Sequence, residues 1–195
     1  MESRLGLWIV DNAELFKYVA ELPSLKSDAK NVLLSGKVSS YLASTLSLMY
    51  KDAKIVAVDE DDKAVEEAKT ECPHLQHINE KFTDHQGSGY DVAISALEIE
   101  MLNTRELTPY LFNLYDSLSS GGVLFLSFPD AVAPTVMEKN LYPAWYDEDE
   151  MIYMKYYMAG DVANALSMIG FQIKSMEADN NNDLLHVVTL IAQKN

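Results

Sequence analysis

Short apolar runs alternate with helix-like stretches along most of this chain. Each run has the length and the branched side chains of a strand buried on both faces. The predicted strands are 31–35 (NVLLS), 54–59 (KIVAVD), a weaker run at 75–78, 90–97 (YDVAISAL) and 123–128 (VLFLSF). Helical patterns lie between them, at 40–50, from a cap at Asp61 or Asp62 to Pro73, and from a cap at Thr104 to Gly121 and Gly122. This alternation predicts βαβ units and a parallel sheet with helices on both faces.

The carboxyl-terminal part of the chain breaks this alternation. A helix predicted over 161–169 ends at Gly170, and two strand-like runs follow at 171–176 and 184–192. The turn-rich segment ADNNND between them favours an antiparallel hairpin. At the other end, a capping box formed by Asp11 and Glu14 predicts a helix that Pro23 terminates.

No repeat or Pro/Gly-rich linker divides the sequence, so we expect one domain over residues 1–195. Residues 1–29 would form an amino-terminal helical cap, and residues 129–158 a lid-like insertion. The predicted class is α/β, with three layers and a mainly parallel sheet that finishes in a carboxyl-terminal antiparallel hairpin.

The net charge of −15 narrows the choice of partners. A surface of this sign repels phosphate backbones, so nucleic acid and anionic membranes are not expected partners. Cys72 is the single cysteine, which suits a reducing compartment. No apolar run reaches membrane-span length, and the first residues lack signal-peptide features, so we expect a cytoplasmic protein.

The order of these elements resembles that of the class I S-adenosylmethionine (SAM)-dependent methyltransferases, over about residues 30–195. The resemblance implies a Rossmann-like methyltransferase sheet, SAM as cofactor and a ligand at the carboxyl ends of the strands. In that family a glycine-rich loop follows the first strand and approaches the cofactor closely, because glycine has no Cβ. The family loop reads acid–apolar–Gly–x–Gly–x–Gly. The corresponding residues here are Leu34, Ser35, Gly36, Lys37, Val38, Ser39 and Ser40.

This loop departs from the family pattern in two ways. The acid has become Leu34, and Val38 stands where the second glycine would be, although β-branched residues strongly disfavour positive φ. Gly36, Lys37 and Ser39 are nevertheless the loop residues that the resemblance assigns to the cofactor. The alternative is that Lys37 is solvated and the serines only cap the following helix.

An acid at the tip of the second strand can accept hydrogen bonds from both ribose hydroxyls. The resemblance therefore assigns Asp59, with its neighbour Glu60, to the cofactor. The competing interpretation is that the four consecutive acids 59–62 only stabilise the start of the next helix.

Two further segments fall at strand ends in the resembled family. Asn79 and Glu80 would frame the adenine, with Phe82 covering a ring face, although a plain surface loop explains them nearly as well. Ala96 and Leu97 would lie beside the transferred methyl group. Glu98 could attract the sulfonium, but an exposed acid is an equal alternative.

Residues 142–158 concentrate aromatic side chains and methionines. The tyrosines and tryptophan are Tyr142, Trp145, Tyr146, Tyr153, Tyr156 and Tyr157. One interpretation is a lid over the acceptor pocket. A second is an amphipathic helix, because Met151, Met154 and Met158 follow helical spacing. A third is a subunit interface that pairs two copies of the chain.

The sequence offers little support for other chemistry. Cys72, His74 and His77 lack the further ligands that a zinc site needs, so no metal is expected. The leading hypothesis is a SAM-dependent methyltransferase-like protein that acts on a small-molecule or protein acceptor, with catalytic residues unassigned. The alternative is a catalytically inactive binding or assembly protein of the same fold. An NAD- or nucleoside-binding reductase is less favoured, because the terminal hairpin and the absence of a G-x-G-x-x-G motif argue against it.

Overall fold

The structure is a computed structural model that describes residues 25–36, 45–130, 143–144, 152–153, 157–179 and 187–195. Residues 45–49 are helical, and residues 82–84 and 99–101 form short 3-10 turns. The remaining elements are β1 (Asn31–Ser35), β2 (Lys54–Asp59), α1 (Asp62–Glu71), β3 (Gln76–Asn79), β4 (Tyr90–Ala96), α2 (Thr104–Ser117), β5 (Leu118–Pro129), β6 (Pro143–Ala144), β7 (Ile152–Tyr153), α3 (Ala159–Ile169), β8 (Phe171–Asp179) and β9 (Val187–Lys194).

The main sheet within the described ranges has seven strands in the order β3-β2-β1-β4-β5-β9-β8. Strands β1 to β5 pair in parallel, whereas β9 runs antiparallel to both β5 and β8. The predicted class, a mainly parallel α/β sheet with a terminal antiparallel hairpin, is confirmed. The predicted amino-terminal helix lies outside the described residues.

Successive apolar residues of the central strands alternate between two separate cores, one on each face of the sheet. Val32 and Leu34 of β1 belong to one core, and Leu33 belongs to the other. Helices α2 and α3 cover the second core, and the helical residues 45–49 pack on the first. Both faces of the strands are therefore buried, which explains their nearly continuous apolar sequences.

Several predicted boundaries were wrong, each for a local reason. Asn103, not Thr104, caps α2, because its side chain accepts hydrogen bonds from two backbone N–H groups while Glu106 completes a capping box. Helix α2 ends at Ser117, before the predicted glycines, and β5 begins at once. Gly121 instead adopts φ +73° where the pairing of β4 with β5 shifts register.

The aromatic segment also differs from one of its interpretations. Ile152 and Tyr153 pair with Pro143 and Ala144 as a small antiparallel sheet. A continuous amphipathic helix through the methionines is therefore wrong at 152–153. Met158 caps α3 and is exposed. The lid and interface interpretations remain predictions, since most of 131–156 lies outside the described residues.

Among the described residues, no helix combines the length and apolarity that a membrane span requires.

Candidate functional site

The parallel strands bring their carboxyl ends to one edge of the sheet, and the candidate residues lie there. The chain moves from β1 outward to β3 and then returns to add β4 and β5 on the other side of β1. The order of the strands therefore reverses between β1 and β4, which is where open α/β sheets bind ligands.

Gly36 directly follows β1 and adopts φ +104°, a left-handed conformation that side chains with a Cβ rarely tolerate. Its N–H donates to the carbonyl of Val58 at 3.3 Å. A Cβ at this position would lie 2.6 Å from Oε2 of Glu98 and 3.0 Å from its Cβ. Both the backbone conformation and the close approach of Glu98 thus require glycine here.

The rest of this loop lies outside the described residues. Lys37 and Ser39 stay predictions, and so does the effect of Val38. Leu34 is buried in the core.

Asp59 is the last residue of β2, and its side chain is buried at 8% exposure. Its Oδ1 accepts a hydrogen bond from the N–H of Asp61 at 2.9 Å, and its carbonyl accepts from the N–H of Glu80 at 3.1 Å. The N–H of Asp61 therefore orients the carboxylate, while the bond from Glu80 fixes the backbone of Asp59. Asp61, rather than Asp59, caps α1 through bonds to the N–H groups of Lys63 and Ala64. The helix-capping function is thus performed by a different acid of the run.

Of the neighbouring predicted residues, Asn79 and Glu80 have side-chain partners of their own. Glu60 is exposed. Asn79, paired with Asp59 in the β2–β3 register, donates through its side-chain amide to Asp62 of α1. Oε1 of Glu80 accepts from Nδ1 of His85 at 2.6 Å.

Phe82 was expected to cover a ring of the cofactor, but the structure places it in the core. Its side chain is 5% exposed, and its ring centroid lies 4.9 Å from that of Tyr110. An adenine cannot stack on a ring buried in this way. That interpretation of Phe82 is wrong.

The end of β4 has an unusual backbone. Ala96 is buried, and Leu97 after it adopts φ +57° while its N–H donates to the carbonyl of Ser127 at 2.9 Å. A non-glycine residue in the left-handed region costs about 1–2 kcal/mol and is often found at functional sites. The strain turns the chain sharply after β4 and directs it toward Glu98 and the following 3-10 turn.

A polar cluster that the sequence did not predict lies beneath this edge. The hydroxyl of Tyr110, from α2, lies 2.8 Å from Oγ of Ser35 and 2.7 Å from Oγ of Ser95. These serines are register partners on β1 and β4. Burial raises the pKa of Tyr110 well above its usual value, so the phenol is neutral. A serine at the end of each strand was visible in the sequence, but nothing pointed to a tyrosine 15 residues further on.

Glu100 is the second feature that sequence analysis missed. Its side chain is 3% exposed, in the 3-10 turn after β4. Burial, with a further contribution from the negative charge of Glu98, raises the pKa of Glu100 to about 8. The adjacent Glu98 was considered from the sequence. Its Oε2 is buried against Gly36 rather than fully exposed.

Other features lie away from this edge. A cavity of 410 Å³ lined by Tyr50, Lys54 and His74 opens at the amino ends of β2 and β3, on the opposite side of the sheet. His74 lies 2.9 Å from the hydroxyl of Ser47, and Nε2 of His77 lies 2.9 Å from the carbonyl of Cys72. No group of three potential metal ligands occurs among the residues that the structure describes.

The strand order and the antiparallel final hairpin are those of the SAM-dependent methyltransferase fold. Magnesium protoporphyrin IX methyltransferase (ChlM) from Synechocystis PCC 6803, solved with bound S-adenosylhomocysteine (SAH), is similar with a TM-score of 0.75 and 18% identity, over 95% of this chain and 84% of that one. A SAM-dependent methyltransferase from Clostridium acetobutylicum has a TM-score of 0.70 and 13% identity, covering 91% and 89%.

The same fold also hosts other chemistry. The [4+2]-cyclase SpnF has a TM-score of 0.69 and 11% identity, over 91% of this chain and 80% of that one. No protein-family model and no curated protein matches the sequence. At these identities the similarity establishes the fold alone.

Proposed function

We propose that this protein binds SAM at the carboxyl edge of the sheet and transfers its methyl group to a small-molecule or protein acceptor. The observation that carries the proposal is the pair formed by Gly36 and Asp59 at the ends of adjacent strands, beside the reversal of strand order. When bound, SAM supplies a methyl group activated by a sulfonium. The chain then needs only to hold donor and acceptor in line.

The side chains at this edge fit such a ligand. Asp59 presents a buried carboxylate that suits two ribose hydroxyls and disfavours a 2′-phosphate. SAM also carries an ammonium and a sulfonium, and both charges favour a negative neighbour. The carboxyl group of Glu98 lies against Gly36, beside the loop where Leu34 has replaced the family's acid. Glu98 therefore supports the proposal by placing an acid in this region from the turn after β4.

A second candidate function is a methyltransferase-like binding or assembly protein without catalysis. The same contact of Glu98 with Gly36 favours it, because a side chain packed on this glycine takes up space beside the loop. In this case the edge would hold no cofactor. Absence of SAM binding would therefore favour this second candidate.

Calorimetric titration of the full chain with SAM and with SAH tests the proposed function. We expect Asp59→Asn to weaken both affinities by about 10-fold to 100-fold, since a hydrogen bond to a charged group contributes about 1.5–3 kcal/mol. Asp52→Asn is the matched control, because Asp52 is an exposed acid in the turn before β2, at the opposite edge. Its affinity should equal that of the unmodified protein.

Equal affinities in Asp59→Asn and Asp52→Asn would refute the assignment of Asp59. Failure of the unmodified protein to bind either ligand at millimolar concentration would reject the proposed function and favour the second candidate.

A further inference from the structure

Two acids follow β4 with one residue between them and occupy the same turn. Glu98 precedes the 3-10 turn, and Glu100 is its middle residue. The strained backbone of Leu97 directs the chain into this turn. Oε2 of Glu98 is buried, and it would lie 2.6 Å from a Cβ at Gly36. The first acid thus packs on Gly36, which the proposed function assigns to the cofactor.

The second acid is buried more deeply. Oε2 of Glu100 has no hydrogen-bond partner among the described residues, although the side chain is only 3% exposed. A buried polar atom without a partner costs about 1–3 kcal/mol, so its retention calls for an explanation.

The described titratable groups that interact electrostatically with Glu100 come from three elements, and none of them is cationic. Glu98 acts on it from the same turn, and its charge disfavours a second negative charge. Glu100 in turn raises the pKa values of Tyr110 on α2 and of Tyr157, just before α3. The phenol of Tyr157 donates to the carbonyl of Leu102, so it is not oriented toward Glu100 as a donor.

We propose that Glu98 and Glu100 form a charge-selective subsite that distinguishes SAM, which carries a sulfonium, from SAH, its neutral thioether. This inference rests on the proposed function, because it concerns the same cofactor edge. A carboxylate beside the sulfur stabilises the cation and gains nothing from the thioether. The subsite therefore favours binding of the methyl donor and release of the demethylated product.

Binding of SAM at this subsite should release a proton from the protein, and this release can be measured. The free protein holds Glu100 mostly protonated at pH 7, since its pKa is raised to about 8. An opposite charge within ~4–6 Å lowers a carboxyl pKa by about 1–3 units, so bound SAM makes Glu100 lose its proton. Because SAM binding releases this proton, its affinity relative to SAH rises with pH up to about 8 and levels off above it.

Calorimetry at pH 7 in buffers of different ionisation enthalpy counts the protons released. We expect SAM binding to the unmodified protein to release up to about one proton more than binding to Glu100→Gln, because only the carboxyl can ionise. The amino group of SAM contributes equally in both proteins, so the difference isolates Glu100. Glu71→Gln, which changes an exposed acid at the end of α1, is the matched control and should behave like the unmodified protein.

Glu98→Gln provides a second test with no dependence on proton counting. We expect it to lower the preference for SAM over SAH by about tenfold, the equivalent of one pKa unit of interaction. Equal proton release in Glu100→Gln, together with an unchanged preference in Glu98→Gln, would overturn this inference while leaving cofactor binding intact. Failure of both ligands to bind would overturn the proposed function as well.

Discussion

Tyr110 is the residue that connects the helix layer to the candidate edge. Its hydroxyl hydrogen bonds with Ser35 at the end of β1 and with Ser95 near the end of β4, all three groups being buried. Its ring packs on Phe82. The strand ends on either side of the reversal point are therefore held together by one phenol from α2.

Tyr110→Phe is expected to destabilise the protein by about 1–3 kcal/mol, because both serine hydroxyls lose this partner in a buried environment. The free energy of unfolding in urea measures the change. Tyr50→Phe is the matched control, since its hydroxyl is also buried but has no hydrogen-bond partner among the described residues. It should be neutral or stabilising. If Tyr110→Phe lowers the free energy of unfolding no more than Tyr50→Phe does, the hydrogen bonds of Tyr110 to the two serines contribute nothing to stability.

The location of a single residue was predictable where the local sequence pattern alone determines it. The place of Asp59 at the end of β2 was predicted because an acid after an apolar run is visible in the sequence. The burial of Glu100 and the reach of Tyr110 were not, because both depend on contacts between distant elements. Phe82 was misjudged for the same reason, since an aromatic residue in a polar loop gives no local sign that a helix covers it.

The turn from β1 into its loop is the element on which the site depends. Gly36 combines a positive φ with close contact to Glu98, whereas Gly89 has φ +82° and no heavy atom within 4 Å of an added Cβ. The two glycines share the conformational requirement but differ in surroundings. Substituting both glycines therefore separates the cost of backbone strain from the cost of the steric contact with Glu98.

Gly36→Ala and Gly89→Ala should each lower the free energy of unfolding by about 1–2 kcal/mol, because alanine is strained in a left-handed backbone conformation. Gly36→Ala should lose more, because its Cβ would also displace the side chain of Glu98, including the Cβ of that residue. Denaturant unfolding of the two variants checks this difference. Equal losses would mean that Glu98 does not pack on Gly36 in solution.

At the scale of elements, hydrophobic patterning located every main-sheet strand but not every boundary. The period of apolar residues fixes which stretches are buried, and this is a local property. The cap at Asn103 was missed because Thr104 is an equally good capping type, and only backbone geometry distinguishes them. The early start of β5 depends on a register shift against β4, which no single-strand pattern contains.

At the scale of the whole molecule, the alternation of elements and the final hairpin were sufficient to predict the architecture. The contact of Glu98 with Gly36 could not be predicted in this way, because the two residues follow different strands and are more than 60 residues apart in the chain. The net charge of −15 gives the whole protein a negative potential of the same sign as that of the acids at the edge. Such a field favours a ligand with net positive charge over a neutral one.

A crystal structure of the protein with SAH most directly tests the claim that the carboxyl edge holds an adenosyl ligand. The account predicts density for the ligand along Gly36, with both ribose hydroxyls within hydrogen-bond distance of the Asp59 carboxylate. A cleft filled by Glu98 with no ligand beside Asp59, or a ligand bound elsewhere, would contradict it.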